Sequence, residues 1–301
     1  WPQNRYPKRA KTINLMFHLS DLSATDRACV HARLQTAQVM GILNVTPDSF
    51  SDGGQYQSIE AGLQHAQYLI DAGADYLDIG GESTRPGAEP VALQQELDRV
   101  CPMIEALRRR FDHPISIDTS KTKVMTQALA LGVDMVNDVN ALQDTGAVEV
   151  VARSGVRVCL MHKKGTPKTM QSMATYPDVV KTVREFLRER IRVCCAAGID
   201  VSMIWVDPGF GFGKTFMHNV TLLQQLPLFG ELGCSLLVGL SRKSFLAPLA
   251  GTDEASVDQR LIPSVMSACY AVLNGAKMVR VHDVFETKQA LTVLKNLVEI
   301  S

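Results

Sequence analysis

Short runs of aliphatic residues recur along the chain from residue 37 onward, and each run ends in polar residues. A stretch with helical spacing follows each run, and a glycine often precedes the next one. The eight runs are Val39–Leu43, Tyr76–Ile79, Ile115–Ile117, Met135–Val136, Val156–Met161, Met203–Val206, Leu236–Leu240 and Met278–Val281. Apolar runs without alternation are typical of strands that are buried on both faces of a parallel sheet. The pattern therefore predicts eight parallel strands.

The segments between these runs are predicted to be helices. Ile59, Leu63, Ala66 and Ile70 share one apolar face at helical spacing. The other predicted helices span residues 92–110, 121–131, 146–153, 178–197, 218–229, 257–274 and 286–298. Five glycines stand just after a helix and shortly before a strand, where a left-handed C-cap is needed: Gly73, Gly132, Gly155, Gly198 and Gly275.

Eight strand–helix units predict an α/β protein with a single (β/α)8 barrel, the TIM-barrel fold. A doubly wound open sheet is the alternative, but eight near-regular units fill the chain without remainder. We assign residues 37–301 to the barrel and residues 1–36 to a short N-terminal leader. The leader carries scattered charge and no clear period, so we expect it to be loosely or only partly ordered.

The charge balance narrows the classes of ligand. The 31 Lys and Arg residues equal the 31 Asp and Glu residues, so the formal net charge is zero. A general nucleic-acid or anionic-membrane binder would need a basic excess. No apolar stretch reaches the roughly 18–20 residues that span a bilayer. We expect small-molecule substrates, no nucleic-acid or membrane partner, and a local cationic site for any anion.

The cysteines indicate a reducing compartment. There are seven, an odd number, without a CxxC pair, and Cys194 and Cys195 are neighbours inside a predicted helix. This usage predicts buried, reduced thiols and a cytoplasmic location. The histidines are not spaced with the cysteines as zinc ligands would be, so no zinc site is expected.

Polar groups follow all eight runs, at the strand ends where TIM-barrel active sites lie. They are Asn44, Asp78, Asp118, Asn137, His162, Asp207, the Ser241–Lys243 segment, and Arg280 with His282. Strands that simply stop at polar residues would explain two or three of these groups. They would not explain carboxylates or carboxamides at five ends and cations at two others, so the pattern predicts one active site at this face.

Two kinds of chemistry are indicated there. Asp118, Asn137 and Asp207 could line one flat polar heterocycle, because a carboxylate accepts two N–H donors from an amidine-like edge. The heterocycle and a charged group would then share one cleft.

A phosphate group fits the remaining side chains. Arg280 and His282 alternate on one strand, so their side chains point the same way. With Lys243 they form a cationic patch suited to phosphate. Asn44 is a neutral oxygen ligand, adequate for a Mg²⁺ ion that binds mainly through substrate phosphates.

One glycine-rich segment invites a wrong interpretation. Pro208–Thr215 resembles a P-loop, but Pro208 stands where the first glycine of that motif belongs. A Gly/Phe loop after a strand is better interpreted as an active-site loop, with Phe212 available to cover a ring.

The motifs together resemble the dihydropteroate synthase family. Met40–Gly54 (MGILNVTPDSFSDGG) is similar to its first signature and Asp78–Ala88 (DIGGESTRPGA) to its second. Further matches follow in order at the other strand ends: Ser116–Ser120, Asn137-Asp138, Asp207–Lys214, Ser241–Ser244 and Arg280–Val284. The resemblance spans residues 39 to about 298, and residues 1–36 lie outside it.

The resemblance implies a transferase of folate biosynthesis. Such enzymes join 6-hydroxymethyl-7,8-dihydropterin pyrophosphate to p-aminobenzoate, release pyrophosphate and form 7,8-dihydropteroate, with Mg²⁺ as cofactor. It also implies a cytoplasmic homodimer that sulfonamides inhibit. Departure of pyrophosphate would leave a carbocation stabilised by the pterin ring. Because an arylamine is neutral at pH 7, no strong base is needed, and we expect a dissociative, SN1-like displacement.

The resemblance also implies roles for individual residues. The pterin would contact Asp118, Asn137, Met161, Asp207, Lys243 and Arg280. The pyrophosphate would contact Asn44, Thr84, Arg280 and His282, with Asn44 also a metal ligand. p-Aminobenzoate would contact Phe50, Thr84, Arg85, Pro86, Phe212 and Ser244. The expected catalytic residues are Asp118, Asp207, Lys243, Arg280 and His282.

Two other functions share parts of this pattern. A folate-dependent methyltransferase module has the same barrel and Asp/Asn pocket, but it needs a corrinoid partner and would not need the Ser241–Ser244 or Thr84–Pro86 loops. A non-catalytic paralogue would bind pterins without synthesis. One departure from the family pattern is Pro263, which stands where we expect a glycine and could bend a helix at the expected dimer interface near Ile262.

Overall fold

Eight parallel strands close into a barrel in the order of the sequence. A computed structural model of the chain describes residues 24–45, 55–85, 87–170, 172–252 and 256–299. The strands are β1 (Gln38–Asn44), β2 (Tyr76–Gly80), β3 (Ile115–Asp118), β4 (Met135–Asp138), β5 (Arg157–Met161), β6 (Ile204–Asp207), β7 (Ser235–Val238) and β8 (Met278–Val281). Strand β8 pairs with β1, so no edge remains. The TIM barrel is confirmed, and the open sheet is wrong.

Helices alternate with the strands. They are α1 (Ala24–Thr36), α2 (Gln55–Asp71), α3 (Leu93–Arg110), α4 (Thr122–Ala130), α5 (Ala147–Ser154), α6 (Val179–Ala196), α7 (Phe216–Gln224), α8 (Leu246–Leu249), α9 (Leu261–Leu273) and α10 (Val284–Glu299). Short 3₁₀ turns span Val201–Met203, Leu226–Leu232 and Asp258–Arg260. The five glycines predicted as C-caps all have φ between 70° and 106°, as expected.

Two prolines bear on the predicted helices: one explains why a helix ends early, and the other lies in a helix without interrupting it. The predicted helix 218–229 ends as an α-helix at Gln224, because Pro227 has no N–H to donate to the carbonyl of Leu223, and the chain continues as the 3₁₀ turn Leu226–Leu232. Pro263 is the third residue of α9. The first turn of a helix has no intrahelical acceptors for its N–H groups, so the missing donor of Pro263 costs little there.

Part of the expected leader is ordered, because residues 24–36 form α1. This helix packs against α9 and α10. Leu34 is buried, Arg33 donates to the carbonyl of Leu273, and Gln35 and His31 both contact Glu299. Tertiary contacts hold a helix whose own periodicity is weak, which is why its pattern was not visible in the sequence. Residues 1–23 lie outside the described residues.

Apolar side chains form two separate cores. The larger one lies between the strands and the surrounding helices. The second closes the inside of the barrel and consists of Met40, Tyr76, Met135, Cys159, Trp205, Leu237 and Met278. These residues face inward from seven of the strands. Because side chains alternate along a strand, the next inward residue lies two positions further, toward the carboxyl end. This second core is therefore the floor of whatever site lies above it.

The cysteines differ in part from the expectation. All seven are unpaired, but Cys29 and Cys195 are exposed, so burial was wrongly predicted for these two. Both lie on helices, α1 and α6, each of which has one face toward water. None of the described helices is long and apolar enough to cross a membrane.

Candidate active site

A layer of polar side chains lies directly above the apolar floor. Strands β2, β4, β6 and β8 contribute Tyr76, Met135, Trp205 and Met278 to the floor. Two residues further along the same strands stand Asp78, Asn137, Asp207 and Arg280. We call these four residues the polar layer. The alternation of the strand thus places one apolar and one polar residue of each even-numbered strand in successive layers.

Arg280 connects the polar layer. Its Nε donates to Oδ2 of Asp78 at 2.5 Å, and its Nη2 donates to Oδ2 of Asp118, at the end of β3, at 2.8 Å. Asn137 Nδ2 donates to the same Asp78 oxygen at 3.2 Å. Asp78 is fully buried, and its Oδ1 has no hydrogen-bond partner among the described residues. The sequence analysis noted Asp78 only as a strand end, so its part in holding Arg280 and Asn137 was missed.

Burial sets the charges of these groups. It raises the pKa of Asp118 to about 7, although Arg280 opposes the shift, and it raises the pKa of Asp207 to about 6. Burial alone would lower the pKa of Arg280, but Asp78 and Asp118 more than offset it, so the guanidinium stays charged. Two carboxyls at the mouth of the barrel therefore titrate close to neutral pH.

Asp207 faces an open space. Its Oδ1 accepts the N–H of Gly209 at 2.7 Å. Its Oδ2 lies 3.8 Å from the position that a Cβ would take on Gly239, at the end of β7. Glycine there keeps the space above Oδ2 clear, so this oxygen can accept donors from a ligand. Met161, the end of β5, is buried and pairs in register with Asp207.

The remaining strand end belongs to Asn44 of β1. A Cβ on Gly80 would lie 3.8 Å from Oδ1 of Asn44 and 3.8 Å from Oδ2 of Asp118. Both oxygens thus line the same small recess beside Gly80. In the described part of the chain, no three His, Cys, Asp or Glu side chains come together in a way that would hold a metal ion. Asn44 offers a single neutral ligand here.

The loop after β7 brings Lys243 to the site. Arg242 has φ of 59°, and its guanidinium is bidentate to the carboxylate of Asp283 at 2.6 and 3.2 Å. This pair fixes the turn from which Lys243 projects. Burial lowers the pKa of Lys243 to about 8, with Arg280 adding to the effect and Asp207 opposing it. The Lys243 ammonium lies 4.2 Å from the ring centre of Phe212.

His282 differs from its expected role in a cationic patch. Burial, together with Arg280 and the other cations nearby, lowers the pKa of His282 to about 3. The imidazole is therefore neutral at pH 7, and the cationic patch loses one of its three expected charges. Nδ1 of His282 lies 3.0 Å from Oγ of Ser241. A neutral ring can still donate one N–H to an anion, so the contribution of His282 is a hydrogen bond.

The residues expected to contact p-aminobenzoate lie on loops. Thr84 and Phe212 are half-buried, whereas Arg85 and Ser244 are exposed. Arg85 and Lys243 both act electrostatically on His282, which places all three around one mouth. Phe50 and Pro86 lie outside the described residues.

Two lysines near the site, the half-buried Lys121 and the buried Lys214, were missed by sequence reasoning. Lys121 forms ion pairs with Glu82 and with the fully buried Glu96. Glu82 stands two residues before Thr84, so these pairs fasten the start of that loop. The sequence did offer one indication, because Glu82 lies within the Asp78–Ala88 signature and no role had been assigned to it. Lys214, the lysine of the P-loop-like segment, is also buried.

The arrangement can bind three chemically different groups side by side. Buried carboxylates and an amide can take a donor-rich flat ring, and Arg280, His282 and Lys243 can take an anion. Phe212, Thr84, Arg85 and Ser244 form a looser rim that can take a second ring with a negative charge. All three lie within the carboxyl ends of the strands, where preorganised groups act on charge that develops in a reaction.

Comparisons with known proteins agree with this geometry. The family model described as a pterin binding enzyme matches residues 40–282. The dihydropteroate synthase of Escherichia coli K12 is 46% identical over 262 residues, which is 87% of this chain and 92% of that protein. The structure of Xanthomonas albilineans dihydropteroate synthase with 4-aminobenzoic acid superimposes with a TM-score of 0.82 at 48% identity, covering 88% of this chain and 94% of the other. The same enzyme with 7,8-dihydropteroate gives a TM-score of 0.79 at 45% identity, with coverage of 88% and 94%.

Proposed function

The chain belongs to the dihydropteroate synthase family of pterin-binding enzymes, and we propose that its barrel mouth makes 7,8-dihydropteroate by a dissociative displacement. Dihydropteroate synthase activity joins 6-hydroxymethyl-7,8-dihydropterin pyrophosphate to p-aminobenzoate. The observation that carries the mechanistic proposal is the polar layer, in which two acidic groups and one cation lie together at the carboxyl ends of the strands. The further assignments below are proposals about individual residues.

The pterin lies on the polar layer. Asp207 accepts the paired N–H donors of the aminopyrimidine edge through the oxygen that faces the open space below Gly239. Asn137 is held in place by Asp78 and reaches the same ring with its carbonyl oxygen. Asp118 and Lys243 contact the polar atoms of the ring from the side, and Met161 packs against its face.

The diphosphate lies beside Arg280 and His282. Arg280 keeps its charge because of Asp78 and Asp118, and the neutral His282 donates an N–H. Thr84 on the loop after β2 and Asn44 at the end of β1 contact the same group. Arg280 belongs both to the anion site and to the polar layer under the pterin. This geometry therefore supports the binding of a diphosphate that is covalently attached to the pterin.

Mg²⁺ is the cofactor that this family implies, and the donors present fit it. Magnesium keeps several waters and binds through substrate phosphates with one or two protein ligands. The Asn44 oxygen in the recess beside Gly80 is such a ligand, and Asp118 lines the same recess. When bound to the diphosphate, the ion would neutralise part of its negative charge.

The aromatic amine lies over the rim. Phe212 covers its ring, Arg85 pairs with its carboxylate, and Thr84 and Ser244 supply hydrogen bonds. Phe50 and Pro86, which lie outside the described residues, are proposed for the same pocket. The 4-aminobenzoic acid in the Xanthomonas albilineans structure supports this ligand.

The reaction proceeds in two bond changes. The bond between the pterin methylene carbon and the diphosphate oxygen breaks first, and the electron pair leaves with pyrophosphate toward Arg280 and His282. Asp207 and Asp118 stabilise the positive charge that spreads from the methylene carbon into the ring. The nitrogen lone pair of the amine then forms the new C–N bond, and the nitrogen loses one proton to water. No strong base is required, because the arylamine is neutral at pH 7.

Two further properties are proposed for the whole molecule. Ile262, Met266 and Tyr270 recur every four residues on α9 and are 72%, 63% and 42% exposed, so they form one apolar face. We infer that a second copy covers this face in a homodimer, and that the protein works in the cytoplasm, which its unpaired cysteines support. Ile262→Glu should halve the molecular mass in light scattering; an unchanged mass would contradict this interface.

Pyrophosphate release tests the proposed function. The experiment supplies dihydropterin pyrophosphate and Mg²⁺ with and without p-aminobenzoate. Fast release that depends on p-aminobenzoate is the expected result. Slow release in both conditions would favour a paralogue that binds pterins without synthesis. No release by folded protein would favour the methyltransferase alternative.

A further inference from the structure

The glycine-rich loop Pro208–Gly213 is pressed against the segment that follows β5. Gly209 and Gly213 have φ of 72° and 66°. A Cβ on Gly209 would lie 1.8 Å from the carbonyl oxygen of His162, and a Cβ on Gly213 would lie 2.4 Å from that of Lys164. No other residue type fits at either position. The loop therefore runs along one fixed path, and its two phenylalanines alternate in direction. Phe210 is buried in the core, whereas Phe212 faces the active site.

The lysine that ends this loop turns back beneath it. Nζ of Lys214 donates to the carbonyl oxygens of Gly209 at 2.7 Å, Phe212 at 3.1 Å and His162 at 3.3 Å. It also lies 3.0 Å from Nδ1 of His162. When Lys214 is protonated it has only donors, and Nδ1 of His162 can then serve as an acceptor for it. In a P-loop the lysine binds a phosphate; here it binds the backbone of its own loop.

The ammonium is buried without a carboxylate in contact. All four of its neighbours are neutral acceptors, and Lys214 is 3% exposed. Burial lowers the pKa of Lys214 to about 7, an effect that Lys243 increases and Asp207 opposes from a distance. A buried charge of this kind is costly unless its hydrogen bonds organise something that an apolar residue could not. The groups that it organises are the carbonyls on either side of Phe212.

Other side chains complete the clamp on the loop. Asn219 on α7 accepts the N–H of Gly211 at 2.8 Å and donates to the carbonyl of Thr215 at 2.8 Å. Tyr176 donates to the carbonyl of Gly213 at 2.9 Å. These bonds hold Gly211 and the end of the loop, and the Phe212 N–H closes a turn on the carbonyl of Gly209 at 3.2 Å. Lys214 adds a side-chain donor that binds the carbonyls of both Gly209 and Phe212.

We propose that Lys214 is a positioning residue for the aromatic amine: it binds the carbonyls of Gly209, Phe212 and His162 and so holds the Phe212 ring against Lys243. The proposal rests on the proposed role of Phe212 in the amine pocket. Lys214 contacts no substrate. Its removal should therefore impair use of p-aminobenzoate and leave the pterin pocket, which is built from strand ends, largely intact.

Steady-state kinetics of Lys214→Met test this, with Lys181→Met on the exposed face of α6 as the matched control. We expect the KM for p-aminobenzoate to rise about tenfold, because small displacements of a positioning group have large effects. The KM for dihydropterin pyrophosphate should stay within about twofold, as a strand-built pocket is not displaced. Equal increases in both KM values would overturn the proposal, since they would indicate a general structural role.

Chemical rescue gives a readout that a merely structural role would not move. In Lys214→Ala the lost ammonium leaves a space among four acceptors, so ethylammonium chloride should restore a low KM for p-aminobenzoate, and sodium chloride at the same ionic strength should not. Failure of ethylammonium with folded protein would count against the proposal.

Two more variants keep the outcome decisive. If Lys214→Met and Lys214→Ala do not fold, Lys214→Gln keeps a polar N–H donor at this position but is too short to reach the carbonyls of Gly209, Phe212 and His162 together. A raised KM for p-aminobenzoate alone would support the proposal, and an unchanged value would overturn it. Phe212→Ala separates the two levels of inference. A normal KM for p-aminobenzoate in Phe212→Ala would refute the amine pocket itself, whereas a raised value beside a normal Lys214→Met would refute only the role of Lys214.

Discussion

The two halves of the active site are built in different ways. The pterin half consists of side chains on strand ends. Asp78, Asn137 and Asp207 are almost fully buried, and Arg280 donates a hydrogen bond to Asp78. The amine half consists of loop residues, of which Arg85 and Ser244 are exposed. The position of a side chain on a strand is fixed by the hydrogen bonds and packing of the whole barrel, whereas the position of a side chain on a loop depends on a few local contacts. The comparison teaches that the first half is preorganised and that the second needs fastening.

Two lysines, the half-buried Lys121 and the buried Lys214, hold the loops of the amine half in place. Lys121 holds the start of the loop that carries Thr84 by binding Glu82 and Glu96. Lys214 holds the loop that carries Phe212 by binding backbone carbonyls. Lys121 forms ion pairs, whereas Lys214 binds neutral acceptors. Both contact residues of the loops that carry the proposed substrate-binding side chains, and neither is proposed to contact the substrate itself.

The largest effect should come from Asp207→Asn, which changes a ligand-binding side chain of the preorganised pterin half. The amide cannot accept both N–H donors of the pterin edge, so the kcat/KM for dihydropterin pyrophosphate should fall about 100-fold. The KM for p-aminobenzoate should change by less than about threefold, because Asp207 belongs to the strand-built half. Steady-state kinetics with each substrate varied in turn measure both values. A larger effect on p-aminobenzoate would break the division into two halves.

Arg280→Ala should slow turnover by about 100-fold while the KM for p-aminobenzoate changes little, because the leaving group loses its cation. The same change leaves Asp78 and Asp118 without their partner, which should lower the free energy of unfolding by about 3 kcal/mol. Single-turnover pyrophosphate release and denaturant unfolding separate the two effects. Arg280→Lys is the matched control that keeps the charge but loses the planar guanidinium that bridges Asp78 and Asp118. Unchanged turnover in Arg280→Ala would refute its role toward the leaving group.

The pH dependence should also divide the site. The raised pKa values of Asp207 (about 6) and Asp118 (about 7) mean that the carboxylates are present above these values and lost as the pH falls through them. The lowered pKa of Lys243, about 8, means that its charge is lost above that pH. The kcat/KM for dihydropterin pyrophosphate should therefore fall on both sides of about pH 7.5, as a bell-shaped profile does when an acid and a base are both needed. A flat profile from pH 5 to 9 would contradict the assigned charges.

Lys121→Met should have the smallest effect on chemistry and a clear effect on stability. Removing the ammonium leaves the buried Glu96 without its cation, with the Thr119 hydroxyl still donating to it, which should cost about 3 kcal/mol of unfolding free energy. The KM for p-aminobenzoate should rise about threefold as the loop with Thr84 and Arg85 loosens. Denaturant unfolding and steady-state kinetics measure these values, with Lys123→Met on the exposed face of the same helix as control. Equal stability of the two variants would show that the Glu82–Lys121–Glu96 pairs do not fasten the loop.

The sequence predicted the barrel and its polar strand ends because both follow from strand alternation and aliphatic runs. The same reasoning could not find α1, because its contacts with α9 and α10 are tertiary and its own pattern is weak. It also misjudged the charge of His282, since only the fold reveals how many cations surround that ring. Asp78, Lys121 and Lys214 were missed for a related reason: their partners are distant in sequence or are backbone carbonyls.

The most direct test of the two-part site is calorimetric binding of dihydropterin pyrophosphate with Mg²⁺ in the absence of p-aminobenzoate. The wild type, Asp207→Asn and Phe212→Ala would be compared. A preorganised pterin half predicts that Asp207→Asn weakens binding at least about tenfold and that Phe212→Ala stays within about twofold of the wild type. If Phe212→Ala weakened binding as much as Asp207→Asn, the pterin half would depend on the loops, and the account of two separately built halves would be wrong.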